Sequence, residues 1–151
     1  VWSSVRREGG GDIMHTLSME RPGAEEHRDV THIRFDALVD VHADLPDEPA
    51  SFEPQAHYGQ LQHIFELTLQ AGSLRGVDAT ETLLLAGILP CKIIRKNVCG
   101  MPVYKEMGAY NVVDMTCVQC LVGRVYDCGQ WTIIDWTGAL QRAFYVPDED
   151  N

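Results

Sequence analysis

Long apolar runs are missing from this chain. No stretch approaches the ~18 consecutive apolar residues that a membrane-spanning helix needs, and the longest, Leu83 to Pro90, has the length of one buried strand. No membrane association is expected. Basic side chains are also scarce: 12 Lys and Arg stand against 22 Asp and Glu, for a formal charge of −10 and a pI near 4.9. Binding of nucleic acid by counterion release needs clustered bases, so charge disfavours DNA and favours a basic protein or peptide as partner. Nor is there a signal or transit pattern. The five cysteines, Cys91, Cys99, Cys117, Cys120 and Cys128, are odd in number and read as reduced thiols of an intracellular protein rather than a disulfide framework. Catalytic signatures are missing as well. There is no Gly-x-Ser-x-Gly turn, no phosphate loop and no metalloenzyme spacing among the six histidines,. Gly9-Gly10-Gly11 has no Lys-Ser/Thr after it and reads as a hairpin turn. The expectation is a protein without catalytic activity and without cofactor. With 151 residues it can bury one core, so residues 1–151 read as a single domain,. The opening Val1-Trp2, with no Met, reads as a piece of a longer chain.

What the sequence does have is alternation. No long stretch carries a 3.6-residue period, whereas period-2 patterns recur. In Tyr58 to Gln70, Gly59, Leu61, His63, Phe65, Leu67 and Leu69 share one face and polar residues share most of the other. The pattern predicts an inward-alternating strand with Leu61, Phe65, Leu67 and Leu69 in the core. Thr31 to Val41 alternates likewise, with Ile33, Phe35, Ala37, Val39 and Val41 apolar. Further strands are expected at Ile13–Met19, Thr82–Leu89, Lys92–Arg95, Val112–Cys117, Cys120–Tyr126, Trp131–Trp136 and Leu140–Val146. Glu8 to Asp12, Asp127-Cys128-Gly129-Gln130 and Thr137-Gly138 are tight links of hairpin type,. Ala43–Ala56, with three prolines, and Ala71–Glu81 read as long loops. Many short strands with tight turns and no crossover helices predict an all-β fold, an antiparallel small barrel with long loops.

Charge is unevenly spread. Between Glu20 and Pro54 ten acids meet three arginines, a local charge of −7. Three bases, Lys92, Arg95 and Lys96, lie close together further on. Such a group is usually a solvated strand end, although it could touch a phosphate or an acidic surface. Cys117-Val-Gln-Cys120 has the spacing of half a zinc site. It lies, however, in the β-branched stretch Val112 to Val125, where an offset of three puts two side chains on opposite faces,. The cysteines are therefore expected to act as small buried apolar residues, without metal. His63 falls on the apolar face of its strand and reads as a hydrogen-bonded core histidine.

Several strings resemble the C-terminal segment of transposon-encoded proteins of mushroom-forming fungi, of the Kyakuja-Dileera-Zisupton type. They are Gly10-Gly-Asp-Ile-Met-His-Thr16, His57-Tyr-Gly-Gln-Leu-Gln-His-Ile-Phe65, Asn111 to Val125 with Val118-Gln-Cys-Leu-Val-Gly-Arg124 inside it, and Trp131 to Tyr145. The likeness spans nearly the whole chain and is most specific at Tyr58-Gly59-Gln60 and Val118 to Arg124. A domain of plant transposon proteins is similar, with a Tyr-Gly strand and acids after a late aromatic strand, as in Val146-Pro-Asp-Glu-Asp150. More distantly, Tyr58 to Glu66 and Cys120 to Val125 resemble two strands of the bromo-adjacent homology (BAH) domain, a β-barrel chromatin module. Leu85-Ala-Gly-Ile88 stands where that family has an Arg-Trp-aromatic strand, so a methyl-lysine cage is not carried over.

The resemblance implies a BAH-like, chromatin-associated module of a transposon-derived protein, of fungal type and nuclear in location. The acidic balance adds a basic polypeptide such as a histone tail as the expected ligand. Aromatic residues Tyr58, Tyr104 and Trp136 are the candidate contacts. The alternatives are a nucleic-acid-associated accessory domain of a transposase, using Lys92, Arg95 and Lys96, and a purely structural or oligomerisation domain.

Overall fold

The alternating segments become strands of one strongly curled antiparallel sheet. A computed structural model describes residues 1–6, 11–17, 29–74 and 76–137. Its strands are β1 (Ser4–Val5), β2 (Met14–His15), β3 (His32–Asp40), β4 (Phe52–Leu69), β5 (Glu81–Lys96), β6 (Pro102–Met107), β7 (Asn111–Asp114), β8 (Val118–Leu121), β9 (Gly123–Asp127) and β10 (Gln130–Ile134). Apart from one 3-10 turn, Met115–Cys117, the described residues contain no helical element of defined length. The protein is all-β. β1 and β2 pair with each other; the remaining strands follow the order β8-β3-β4-β5-β6-β10-β9, with β7 also on β5. β8 and β9 thus stand at opposite ends of that order, yet only Val122 separates them along the chain. Because Val122 N–H also donates to the His32 carbonyl (2.9 Å), the two ends are held together and the sheet curls into a half-barrel.

Two apolar clusters fill the curl. The larger holds Met14, Ile33, Phe35, Leu61, Ile64, Ala86, Ile88, Val118 and Leu121; the smaller holds Cys91, Tyr104, Val122 and Ile133, with Tyr58, Met107, Cys120 and Trp131 against it. Turn chemistry is repetitive. In Asp29-Val30-Thr31, Asp114-Met115-Thr116 and Asp135-Trp136-Thr137 the Asp carboxylate accepts from both the N–H and the hydroxyl of the Thr two residues on. Each such turn fixes a strand boundary by satisfying a backbone donor locally. The Asp127–Gln130 link is the hairpin turn expected, with Cys128 at φ 48° and Gly129 at φ 76°; positive φ at both central residues matches the twist of the flanking strands.

The structure corrects the expected pattern in several places. β4 pairs with β5 through a bulge between Leu61 and His63. An extra residue inverts the alternation beyond it, so Leu61 (0% exposed) is followed in the core by Ile64 (1%), while Phe65 is only half-buried and Leu67 lies exposed at 43%. His63 is half-buried, stacks on Phe65 and lies 3.3 Å from the Tyr110 hydroxyl. The loop expected at Ala43–Ala56 ends early: β4 begins at Phe52 and runs through Pro54. Pro54 is tolerated because β4 is paired there only with β3, leaving the other edge free,. Thr82–Leu89 and Lys92–Arg95 are one strand, continuous through Pro90, where the neighbour on one side of β5 changes from β7 to β6. The segment Ile13–Met19 forms a strand only at Met14–His15 among its described residues. Val112–Cys117 ends as β7 at Asp114, and Cys120–Tyr126 is divided at Val122 between β8 and β9. Leu140–Val146, Gly138 and most of the Glu8–Asp12 turn lie outside the described residues.

Candidate binding groove

β4 and β5 are hydrogen-bond partners from Gly59/Pro90 to Leu69/Glu81, and beyond that vertex they part. The amino-terminal half of β4 continues with β3, and the carboxy-terminal half of β5 continues with β6. Gly59 makes the vertex possible. A Cβ there would sit 2.6 Å from Ile88 Cγ2 and 2.7 Å from the Leu89 carbonyl oxygen, too close for any side chain.

A groove of about 290 Å³ lies in the fork. Ala56, His57 and Tyr58 line it from β4, Ile93 and Lys96 from β5, and Ile133 and Asp135 from the end of β10. The Tyr58 hydroxyl donates to Asp135 Oδ2 (2.9 Å). Asp135, only 4% exposed, also accepts from the Thr137 N–H (3.0 Å) and lies 3.5 Å from Arg34 Nη1. That guanidinium in turn donates to the Thr137 hydroxyl (2.8 Å). Burial and the Asp135 carboxylate push the Tyr58 phenol up to about 12. For Asp135 burial works in the opposite direction, yet the Thr137, Tyr58 and Arg34 contacts outweigh it and hold the carboxyl below its ordinary value. Asp135 is ionised and already engaged by three partners, so it fixes the groove wall and offers little basicity to a reacting group.

The candidate residues divide. Tyr58 and Lys96 share the groove, and Trp136, next to Asp135, is 70% exposed. Arg95 is exposed on β5 but is not part of the groove lining, and Lys92 pairs with Glu106 (3.4 Å). Tyr104 is no surface contact: it is 1% exposed, at the centre of the smaller cluster. Burial pushes its phenol up to about 12 against the pull of Arg124, whose Nη1 donates to the Tyr104 hydroxyl (3.0 Å).

Arg124 and Asp29 form the second polar constellation. Arg124 Nε and Nη2 both reach Asp29 Oδ2 (3.0 and 2.9 Å), and the guanidinium lies 4.0 Å over the Trp131 ring,. His32 Nδ1 contacts the same carboxylate oxygen at 2.8 Å. Burial opposes ionisation of Asp29, but the His32 and Thr31 hydrogen bonds prevail and hold its carboxyl well below the usual range. This clamp ties the start of β3 to β9, β10 and β6. Alternation carries no trace of it, although an arginine inside the apolar run Val122 to Val125 is a residue that needs a partner.

Of the cysteines only Cys91 is buried, and burial raises its thiol to about 11. Cys99 and Cys128 are exposed, so the reading of all five as buried apolar residues does not hold. Cys117 closes the 3-10 turn and Cys120 lies in β8, so the pair does not sit within one strand. Among the described residues no three His, Cys, Asp or Glu side chains converge on a point where a metal could bind. No protein-family model, curated protein or solved structure matches this chain.

Proposed function

We propose that the protein is a non-catalytic interaction module that holds a segment of a basic polypeptide, such as a histone tail, in the fork between β4 and β5. The observation that carries this reading is the union of charge and shape. From Asp36 to Gln55 there are six acids and no Lys or Arg, and this stretch is the β3–β4 hairpin at one mouth of the fork. A basic chain approaching that mouth meets an attractive field. Tyr58 and the apolar Ala56, Ile93 and Ile133 then give it a surface on which to dry,. The setting we favour is a chromatin-associated, BAH-like part of a transposon-derived protein acting in the nucleus, as the resemblance implies.

A second reading has one observation in its favour: Arg95 and Lys96 are exposed on the β5 side of the fork, where they could touch nucleic-acid phosphates. Two or three such contacts give only weak, steeply salt-dependent affinity. Fluorescence anisotropy at ~0.15 M salt with a labelled histone-tail peptide and a labelled DNA duplex decides between the two. Peptide binding that weakens with salt, with DNA bound more weakly than about 10⁻⁴ M, is the expected result. DNA bound tighter than the peptide reverses the ranking; binding of neither leaves a structural or oligomerisation role.

A further inference from the structure

The backbone of β4 says how such a segment would be held. At one end of the β3–β4 ladder Leu61 N–H donates to the Thr31 carbonyl, and at the other Val41 N–H donates to the Ser51 carbonyl, both at 2.9 Å. Between these bonds the register runs without a shift. Antiparallel strands alternate the direction of their backbone groups. Odd positions of β4 therefore bond to β3, and the N–H and C=O of Phe52, Ala56 and Tyr58 point the other way, into the fork. Pro54 has the same parity and offers only a carbonyl. The groups of Phe52 and Ala56 have no ladder partner there, because β5 joins β4 only from Gly59 onward, at the Gly59/Pro90 pair where the Tyr58 carbonyl already meets β5. The edge is bordered by exposed apolar side chains as well, with Phe52 62% and Ile93 41% exposed.

We propose that the fork takes its ligand by β-strand addition: an extended Lys-rich segment pairs with the Phe52–Tyr58 edge of β4 and seats one apolar side chain in the groove beside Tyr58. This deepens the preceding reading of the fork as a peptide site and rests on it. Main-chain pairing supplies affinity and alternate side chains supply selectivity. The occupant is basic because the hairpin that carries this edge is acidic, with Glu53 on β4 itself and Asp36 and Asp40 on its partner strand. It has one apolar residue because the groove is lined mainly by Ala56, Ile93, Met101, Pro102 and Ile133. Pro54 limits promiscuous edge pairing by removing a donor midway along the edge.

Ala56→Pro tests this with little change to the rest of the protein. It deletes an N–H that faces the fork and spares the β3 ladder, and Pro54 shows that a proline of that parity fits the edge. The probe is the labelled heptapeptide Lys-Thr-Lys-Val-Lys-Thr-Lys at ~0.15 M salt. The unmodified peptide is expected to bind the wild-type protein, and A56P, shown to be folded by circular dichroism, to weaken it at least tenfold. In a parallel arm that leaves the protein unchanged, peptides N-methylated on either alternate set of residues are compared. One set is expected to lose binding at least tenfold and the other to keep it. Equal affinity for both methylated sets, or no binding of the unmodified peptide, overturns strand addition. If the histone tail still binds in that case, the proposed function survives without it. A wild-type dimer that A56P converts to a monomer would assign the edge to a second copy and also overturn the inference.

Discussion

The two sides of the Gly59/Pro90 vertex use the same pair of strands to opposite ends. On the closed side β4 and β5 are bonded residue to residue and cover a core of Leu61, Ile64, Ala86 and Ile88. On the open side each has taken a different partner, and what lies between them is a groove with a hydroxyl–carboxylate pair in its lining. Composition does not separate the two sides, since Ile93 and Ile94 of β5 are as apolar as Leu83 and Leu84. What differs is coverage. Where aliphatic side chains from β3, β8 and the β1–β2 ribbon fill the space, the strands close; where Asp135, Arg34 and Tyr58 bind one another, the polar groups engage each other without filling it,.

The largest effect should come from the closed side. Ile64→Ala is expected to cost about 2–5 kcal/mol in denaturant unfolding, the range for truncating a buried aliphatic residue, and Phe65→Ala clearly less. Equal losses would mean that the bulge after Leu61 does not invert the alternation. At the vertex, Gly59→Ala should cost about 1–3 kcal/mol by overpacking against the β5 backbone, and it should weaken peptide binding by changing the fork angle. A neutral substitution there would contradict the close approach of Leu89.

Asp29→Asn probes the clamp that ties the open side to the rest. The loss should be about 1–2 kcal/mol near neutral pH, the range for charge-assisted hydrogen bonds discounted for a partly exposed pair. Its pH dependence has a defined sign. The folded carboxyl lies well below its ordinary value of 3.8, so its contribution is fully present above that pH and is lost progressively as pH falls from there toward the lower folded value. The Asp29→Asn variant should show a flatter acid limb of the stability curve, and an unchanged limb would count against the clamp. Tyr58→Phe should cost about 0.5–1.5 kcal/mol. The phenol is raised from 10.0 to about 12, so its stabilisation is present below pH 10 and is lost as pH rises through the interval to the folded value; in the variant that alkaline loss should shrink. Smallest is Lys96→Gln, which should leave stability within about 0.5 kcal/mol yet alter peptide affinity measurably, since Lys96 lines the groove without belonging to the core.

Some of this can be read from the residues in order. Tyr58, an aromatic on an alternating strand, does line the groove, and so does Lys96, a base at a strand end. Tyr104, a candidate on the same ground as Tyr58, is buried, because an aromatic on an alternating strand can face either side and the side depends on pairing. Asp135 and Arg34, which hold Tyr58 in place, are 101 positions apart in sequence (34 to 135) and carry no local signature. Asp29 and Arg124 are equally remote, and only the curling of the sheet brings them together.

Residues within a few positions of one another are enough to set the period of two, and with it an antiparallel all-β protein, the Cys128-Gly129 hairpin and an acidic stretch between Glu20 and Pro54. Three features needed the folded chain: where the bulge falls, that Pro54 and Pro90 lie inside long strands, and that β4 and β5 part at Gly59. Each of those depends on which strand lies alongside, and a strand's neighbour is fixed by packing across the whole chain, which no local pattern encodes.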